Sequence, residues 1–236
     1  MHRFTFDNSM LMCSIAIVSY ISKRYIYGLL IMRLVVIGVN HKTAPVALRE
    51  RLAFVGDDVA AALGELKAFT DGSVIVSTCN RTEIYALVPE PSSPTTTSAT
   101  AAMIAHVNHI KTWLANFKQL PSAEIEPFLY VHRDTHALTH WLRVAAGLDS
   151  MILGEPQILG QIKQSVQLAQ VEQAFSGQLS WVVDQIFAAA KRVRNETKVG
   201  AHAVSLGFAA AKLATQIFDD MPKRTLLIVA AGEMNR

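Results

Sequence analysis

Gly72-Ser73-Val74-Ile75-Val76-Ser77-Thr78-Cys79-Asn80-Arg81-Thr82-Glu83-Ile84-Tyr85-Ala86-Leu87-Val88 is the stretch on which the fold turns. Asp71-Gly72 is a turn pair, and Ser73 to Ser77 is an apolar run of strand type. Glu83 to Val88 reads as another strand, so the polar loop bearing Cys79 lies between two strands. Upstream, Arg33 to Val39 (RLVVIGV) is a β-branched strand that ends in the loop Asn40-His41-Lys42-Thr43-Ala44-Pro45. Val46 to Phe54 reads as a short helix. Asp57-Asp58 open a second one reaching about Phe69, with acids in the first turn where the macrodipole favours them. Strand, helix, strand, strand predicts an α+β sandwich built on a small βαββ-type sheet, not a doubly wound one.

Downstream the pattern changes. Pro89 to Thr100 (PEPSSPTTTSAT) is rich in Pro, Ser and Thr and reads as a surface loop. Helices are predicted over Ala101–Leu120, Thr135–Gly147, Pro156–Phe175 and Gln178–Val199. Asp134 or Thr135 would cap the second and Gly147 would stop it. The last ends in Lys191-Arg192-Val193-Arg194, which reads as a dipole complement and solvated charge, or as a site for an RNA backbone. Ser205 to Phe218 is helical in pattern. Thr225 to Val229 is a buried-type strand, and Ala230-Ala231-Gly232-Glu233 opens a turn of the kind that begins a dinucleotide-binding βαβ unit. The expected organisation is an extension at 1–31, a principal domain at 32–200, and the start of a Rossmann-type domain at 201–236.

Composition narrows the function classes. The 236 residues are 51% hydrophobic and 17% charged, so global disorder is excluded. A net charge of +3 permits an RNA partner without arguing for one. Two cysteines, Cys13 and Cys79, exclude a disulfide framework and fit a reducing, cytoplasmic compartment. The apolar runs Met10–Ile21 and Tyr25–Met32 are each shorter than the roughly 20 residues of a membrane-spanning helix. Met32 is therefore read as the authentic start, ahead of a membrane anchor.

Cys79 lies among polar donors with Arg81 nearby, a setting for thiolate chemistry, because the thiolate is the nucleophile and a cation favours it. The bland alternative is a cysteine that only ends a strand. Gly147-Leu148-Asp149-Ser150 and Leu153-Gly154-Glu155-Pro156-Gln157-Ile158-Leu159-Gly160-Gln161 read either as a polar pocket between helices or as a joint with Asp149, Ser150 and Glu155 as caps. His140 shares a helix with Ala137 and Val144, where a histidine is more often a satisfied rim residue than a catalyst. No metal-ligand spacing is present. A cysteine hydrolase or acyltransferase using Cys79 and His140, and a non-catalytic RNA-binding module, both remain open on these residues.

Three motifs in order, Gly38 to Pro45, Ser77 to Glu83, and Gly147 to Ser150 with Leu153 to Gln161, resemble the glutamyl-tRNA reductase family over about residues 32–200. The resemblance implies NADPH-dependent reduction of glutamyl-tRNA to glutamate-1-semialdehyde, the first step of tetrapyrrole synthesis. It makes Cys79 the nucleophile that forms a glutamyl thioester, and His140 a residue that polarises the carbonyl or assists proton transfer. Thr78, Asn80, Arg81, Ser150, Glu155, Pro156, Gln157 and Gln161 become substrate-binding residues, with Arg81 as the fork for a glutamate carboxylate. Ala230, Ala231, Gly232, Glu233, Met234 and Asn235 fall on the family's nucleotide turn, with alanine at 230 where the family begins with glycine. Implied partners are glutamyl-tRNA, the enzyme glutamate-1-semialdehyde aminomutase, and a second copy through a helical dimerisation domain that this sequence lacks. The alternative for the chain alone is cysteine-dependent hydrolysis of the glutamyl-tRNA ester.

Overall fold

A computed structural model describes residues 34–89 and 96–197, with isolated positions at 199, 214, 215, 217 and 218. The extension read at 1–31, the nucleotide-turn residues 230–235 and nearly all of the Rossmann-type start at 201–236 lie outside the described residues.

Chain order within the described residues is β1 (Leu34–Asn40), α1 (Val46–Leu52), α2 (Asp58–Leu66), β2 (Gly72–Ser77), β3 (Arg81–Leu87), α3 (Thr96–Phe117), α4 (Ser122–Ile125), a 3-10 turn (Glu126–Phe128), β4 (Tyr130–Arg133), α5 (Asp134–Ala145), α6 (Gln157–Val171) and α7 (Gly177–Glu196). The sheet order is β2-β3-β1-β4, antiparallel throughout. The α+β class stands, but the sheet has four strands where the sequence suggested three. Tyr130-Val131-His132-Arg133 is short, with two polar residues among its four, so it carries no clear alternation. It forms because β1 offers it an edge, pairing from Val35↔Arg133 to Gly38↔Tyr130.

All seven residues of β1 are buried, as are all seven of β3, so helices cover both faces of the sheet centre. This explains why LVVIGV, residues 34–39, is apolar without interruption. The outer edge of β2 is partly closed by the loop after α6, where Ser73 N–H donates to the Ala174 carbonyl at 2.8 Å. Helix α3 begins five residues earlier than its sequence suggested, at Thr96. The last proline of the preceding segment is Pro94, so nothing after it blocks the helix from extending back through Thr96 to Thr100.

Two glycines fix the approach to the site. Gly147, at φ +78°, stops α5 as expected. Gly147 N–H donates to Val144 O and Leu148 N–H to Arg143 O, a Schellman closure that turns the chain so that Asp149 and Ser150 follow at once. Gly154, at φ +79°, closes the same loop by donating its N–H to Gly147 O at 2.9 Å. A Cβ at Gly154 would stand 2.2 Å from the Val199 carbonyl oxygen. Among the described residues no helix is long and apolar enough to cross a membrane.

Candidate functional site

Strand β3 presents Arg81, Glu83 and Tyr85 at every second position, and therefore on one face of the sheet. Pairing places Glu83 opposite Gly38 of β1, and Gly38 opposite Tyr130 of β4. Gly38 has no side chain to separate its neighbours. A Cβ there would stand 2.4 Å from Thr82 O and 2.9 Å from Glu83 Cγ. The Glu83 carboxylate instead crosses over β1 and accepts the Tyr130 hydroxyl hydrogen. It also takes Arg81 Nη1 at 2.9 Å, Tyr85 Oη at 2.6 Å and His140 Nε2 at 2.6 Å. Helix α5 supplies that histidine. Its Trp141, fully buried, stacks on Tyr85 with ring centroids 4.1 Å apart, which sets the height of the helix over the sheet.

Glu83 is wholly buried and Arg81 is 1% exposed, so an unpaired charge on either would be very costly. Burial pushes the Glu83 carboxyl up, but Arg81 and then His140 more than offset this and hold it down at about 2. Burial also works against the Arg81 charge. Glu83, with Tyr85, Tyr130 and Asp149 behind it, keeps the guanidinium above its ordinary range. Burial and the Glu83 charge raise both tyrosines, which stay neutral donors. The His132 ring stacks on His140 at 4.5 Å, and burial, then His140, depress its basicity.

The loops converge at the end of this face. His41 N–H donates to Asn80 O at 2.9 Å, joining the loop after β1 to the cysteine loop. Thr78 Oγ1 accepts from the N–H groups of Asn80 and Arg81, both at 3.2 Å, and fixes that turn. Arg49 of α1 donates through Nη1 to the Cys79 carbonyl. Asp149, from the loop after α5, pairs with Lys42 Nζ at 2.5 Å, and its carbonyl receives Arg81 Nη2 at 2.5 Å. Burial opposes the Asp149 charge, but Lys42 and Arg81 hold its carboxyl below the usual range. Burial lowers the His41 ring, and Lys42 and Arg81 add to the effect. Cys79 is exposed and unpaired at the centre of this convergence.

Thr78, Cys79, Asn80 and Arg81 share one turn, His140 is tied to Arg81 through the Glu83 carboxylate, and Asp149 brings the half-buried Ser150 up beside Arg81. Glu155 is half-buried and its carbonyl accepts Arg194 Nη1 at 3.2 Å. Pro156 and Gln157 open α6, both exposed, and Gln161 is half-buried one turn on. Two readings change. Asp149 is no helix cap: it is the carboxylate between Lys42 and Arg81. Arg81 is no open fork, since Nη1 is on Glu83 and Nη2 on Asp149. The Lys191–Arg194 run is partly internal, with Arg194 on the Glu155 carbonyl and Arg192 paired to Glu196 at 3.0 Å. The sequence pattern alone assigns no role to Glu83, Tyr85, Tyr130, Arg49 or Lys42. The alternation Arg-x-Glu-x-Tyr along a strand was the available signal for the first two, because it places two charges and a phenol on one strand face.

Fold and site together define a class: an α+β domain that presents one exposed cysteine on a loop braced from beneath by a buried charge cluster. A family model described as the glutamyl-tRNAGlu reductase N-terminal domain matches residues 37–197. Glutamyl-tRNA reductase of Psychrobacter arcticus is 70% identical over 226 residues, covering 87% of this chain and 49% of that protein. Its counterpart in Psychrobacter cryohalolentis is 67% identical, covering 87% and 50%. The solved glutamyl-tRNA reductase of Methanopyrus kandleri aligns with a TM-score of 0.56 at 29% identity, over 86% of this chain and 45% of that one. The chain belongs to the glutamyl-tRNA reductase family. It spans about half the length of the curated relatives it matches.

Proposed function

We propose that this chain carries the acyl-capture half of glutamyl-tRNA reduction. The Cys79 thiolate attacks the aminoacyl ester carbonyl of glutamyl-tRNA. A sulfur–carbon bond forms, the ester carbon–oxygen bond breaks, and the tRNA leaves with the proton that the thiol gave up. The product on the protein is a glutamyl thioester, which is easier to reduce than an oxygen ester. The observation that carries this reading is the exposure of Cys79 at the point where the three sequence motifs meet.

Each neighbour has a task that its position supports. His140 carries the proton between thiol and leaving oxygen. Thr78 holds the turn that presents the sulfur. Asn80, Ser150, Glu155, Pro156, Gln157 and Gln161 form the surround of the glutamyl group. Asp149 already occupies part of Arg81, so a substrate carboxylate reaching that guanidinium shares it with Asp149 or displaces it. Reduction to the semialdehyde calls for hydride from NADPH. The residues assigned to that cofactor, 230–235, lie outside the described residues, and those described account for capture alone. Residues 32–200 form the catalytic domain on this reading, and glutamate-1-semialdehyde aminomutase and a second copy are partners of the longer family protein.

The test uses tRNA charged with labelled glutamate. Acid-stable label on the chain that disappears in Cys79→Ser is the expected result. Equal label on the Cys79→Ser protein would refute the assignment. Label that forms and then decays to free glutamate without NADPH would favour the second reading, ester hydrolysis through the same thioester.

A further inference from the structure

The Glu83 carboxylate accepts from four donors, three of them on one oxygen. Oε1 receives Arg81 Nη1, Tyr130 Oη and His140 Nε2, and Oε2 receives Tyr85 Oη. A carboxylate held in its ionised form can only accept. The hydrogen in the 2.6 Å contact with the imidazole therefore belongs to His140 Nε2. The ring is held from other sides as well, by the stacked His132 at 4.5 Å and the tilted Tyr130 at 5.4 Å.

We infer that Glu83 is the positioning residue of the acyl transfer: it locks His140 in the Nε2–H tautomer and leaves Nδ1 as the only ring nitrogen able to gain and lose a proton. The inference rests on the assignment of His140 to that reaction. In the capture step Nδ1 takes the proton from the Cys79 thiol as the sulfur–carbon bond forms. It returns that proton to the departing ribose oxygen as the ester carbon–oxygen bond breaks, so the protein ends the step with no net change of charge. Glu83 stays ionised throughout and touches neither sulfur nor substrate. The ring nitrogen that works is set by the bond the other nitrogen makes. Gly38 belongs to the same device, because a side chain there would collide with Glu83 Cγ.

The direct test is nitrogen NMR on the full chain labelled at its eight histidines, with His140→Gln identifying the resonances of interest. With the ring neutral, Nδ1 should give the unprotonated, pyridine-type signal and Nε2 the protonated, pyrrole-type signal. The opposite tautomer, or a ring averaging between both, would overturn the inference. In Glu83→Gln the amide can accept or donate, so the lock should loosen. Labelling of Cys79 at saturating glutamyl-tRNA should then slow by about 10-fold or more with KM moved by less than about 3-fold. An unchanged rate in folded Glu83→Gln overturns it too. Where Glu83→Gln does not fold, Tyr130→Phe, which leaves the Glu83 to His140 bond in place, must keep the native tautomer, and a flipped ring there would transfer the role to Tyr130. If the unaltered chain never acylates Cys79, the proposed function fails, while the tautomer still reports whether Glu83 governs His140.

Discussion

Cys79 and Glu83 stand four positions apart in sequence and live in opposite surroundings. The cysteine is exposed at a loop tip, whereas the glutamate is wholly buried under four donors. The contrast separates two jobs that one short segment performs. On the proposed reading reactivity needs access, and Cys79 stands where a large substrate could reach it. Precision needs rigidity, so the group that orients the histidine and anchors Arg81 is sunk in the sheet. A loop residue can be changed with little consequence for folding, and a buried ion pair cannot.

The comparison is broken most severely, on the activity side, by Cys79→Ser. Glutamyl capture should fall by about 1,000-fold or more, as expected when an essential nucleophile is removed. Unfolding in urea should move by no more than about 0.5 kcal/mol, since the side chain is exposed. Glu83→Ala should do the reverse first. It leaves the Arg81 guanidinium buried without its main partner, and a loss of about 3–5 kcal/mol is expected in the same urea experiment. Activity would follow stability down.

Gly38→Ala sharpens the point about space. Its Cβ would meet Thr82 O at 2.4 Å in the middle of the sheet, where the backbone cannot retreat, and about 1–3 kcal/mol should be lost. Acidification tests the buried charge without mutation. The Glu83 carboxyl is held at about 2, below its unfolded value, so its contribution is complete above pH 4.5 and fades as pH falls toward 2. Stability measured between pH 5 and pH 2 should drop more steeply than in Glu83→Gln. Equal slopes would remove Glu83 from that role. The smallest effect is expected of Lys42→Met. Lys42 is 56% exposed, so breaking its pair with Asp149 should cost less than about 1 kcal/mol and weaken further with salt.

How much of this was legible beforehand follows the same divide. The strands β1, β2 and β3, the stop of α5 at Gly147, and the exposed cysteine loop could all be read, because local pattern and turn chemistry specify them. β4 could not, because a four-residue strand takes its conformation from a partner 92 positions earlier, as in Gly38↔Tyr130. The role of Glu83 was hidden for a related reason. Its four donors come from β3, β4 and α5, and only the sheet register brings Tyr130 across Gly38 to meet it. Arg81 was visible as a cation beside the cysteine, yet its direction was not: inward to Glu83 and Asp149. Asp149 looked like a cap because sequence spacing records the neighbouring helix and not the distant Lys42.

The central claim is that the exposed side of this contrast is where the covalent bond forms. Brief incubation with glutamyl-tRNA, acid quenching, proteolysis and mass spectrometry of the fragments would locate the glutamyl adduct directly. The account predicts one glutamyl group on the fragment holding Cys79, labile to neutral hydroxylamine as a thioester must be. An adduct on another residue, or a hydroxylamine-stable linkage, would contradict it.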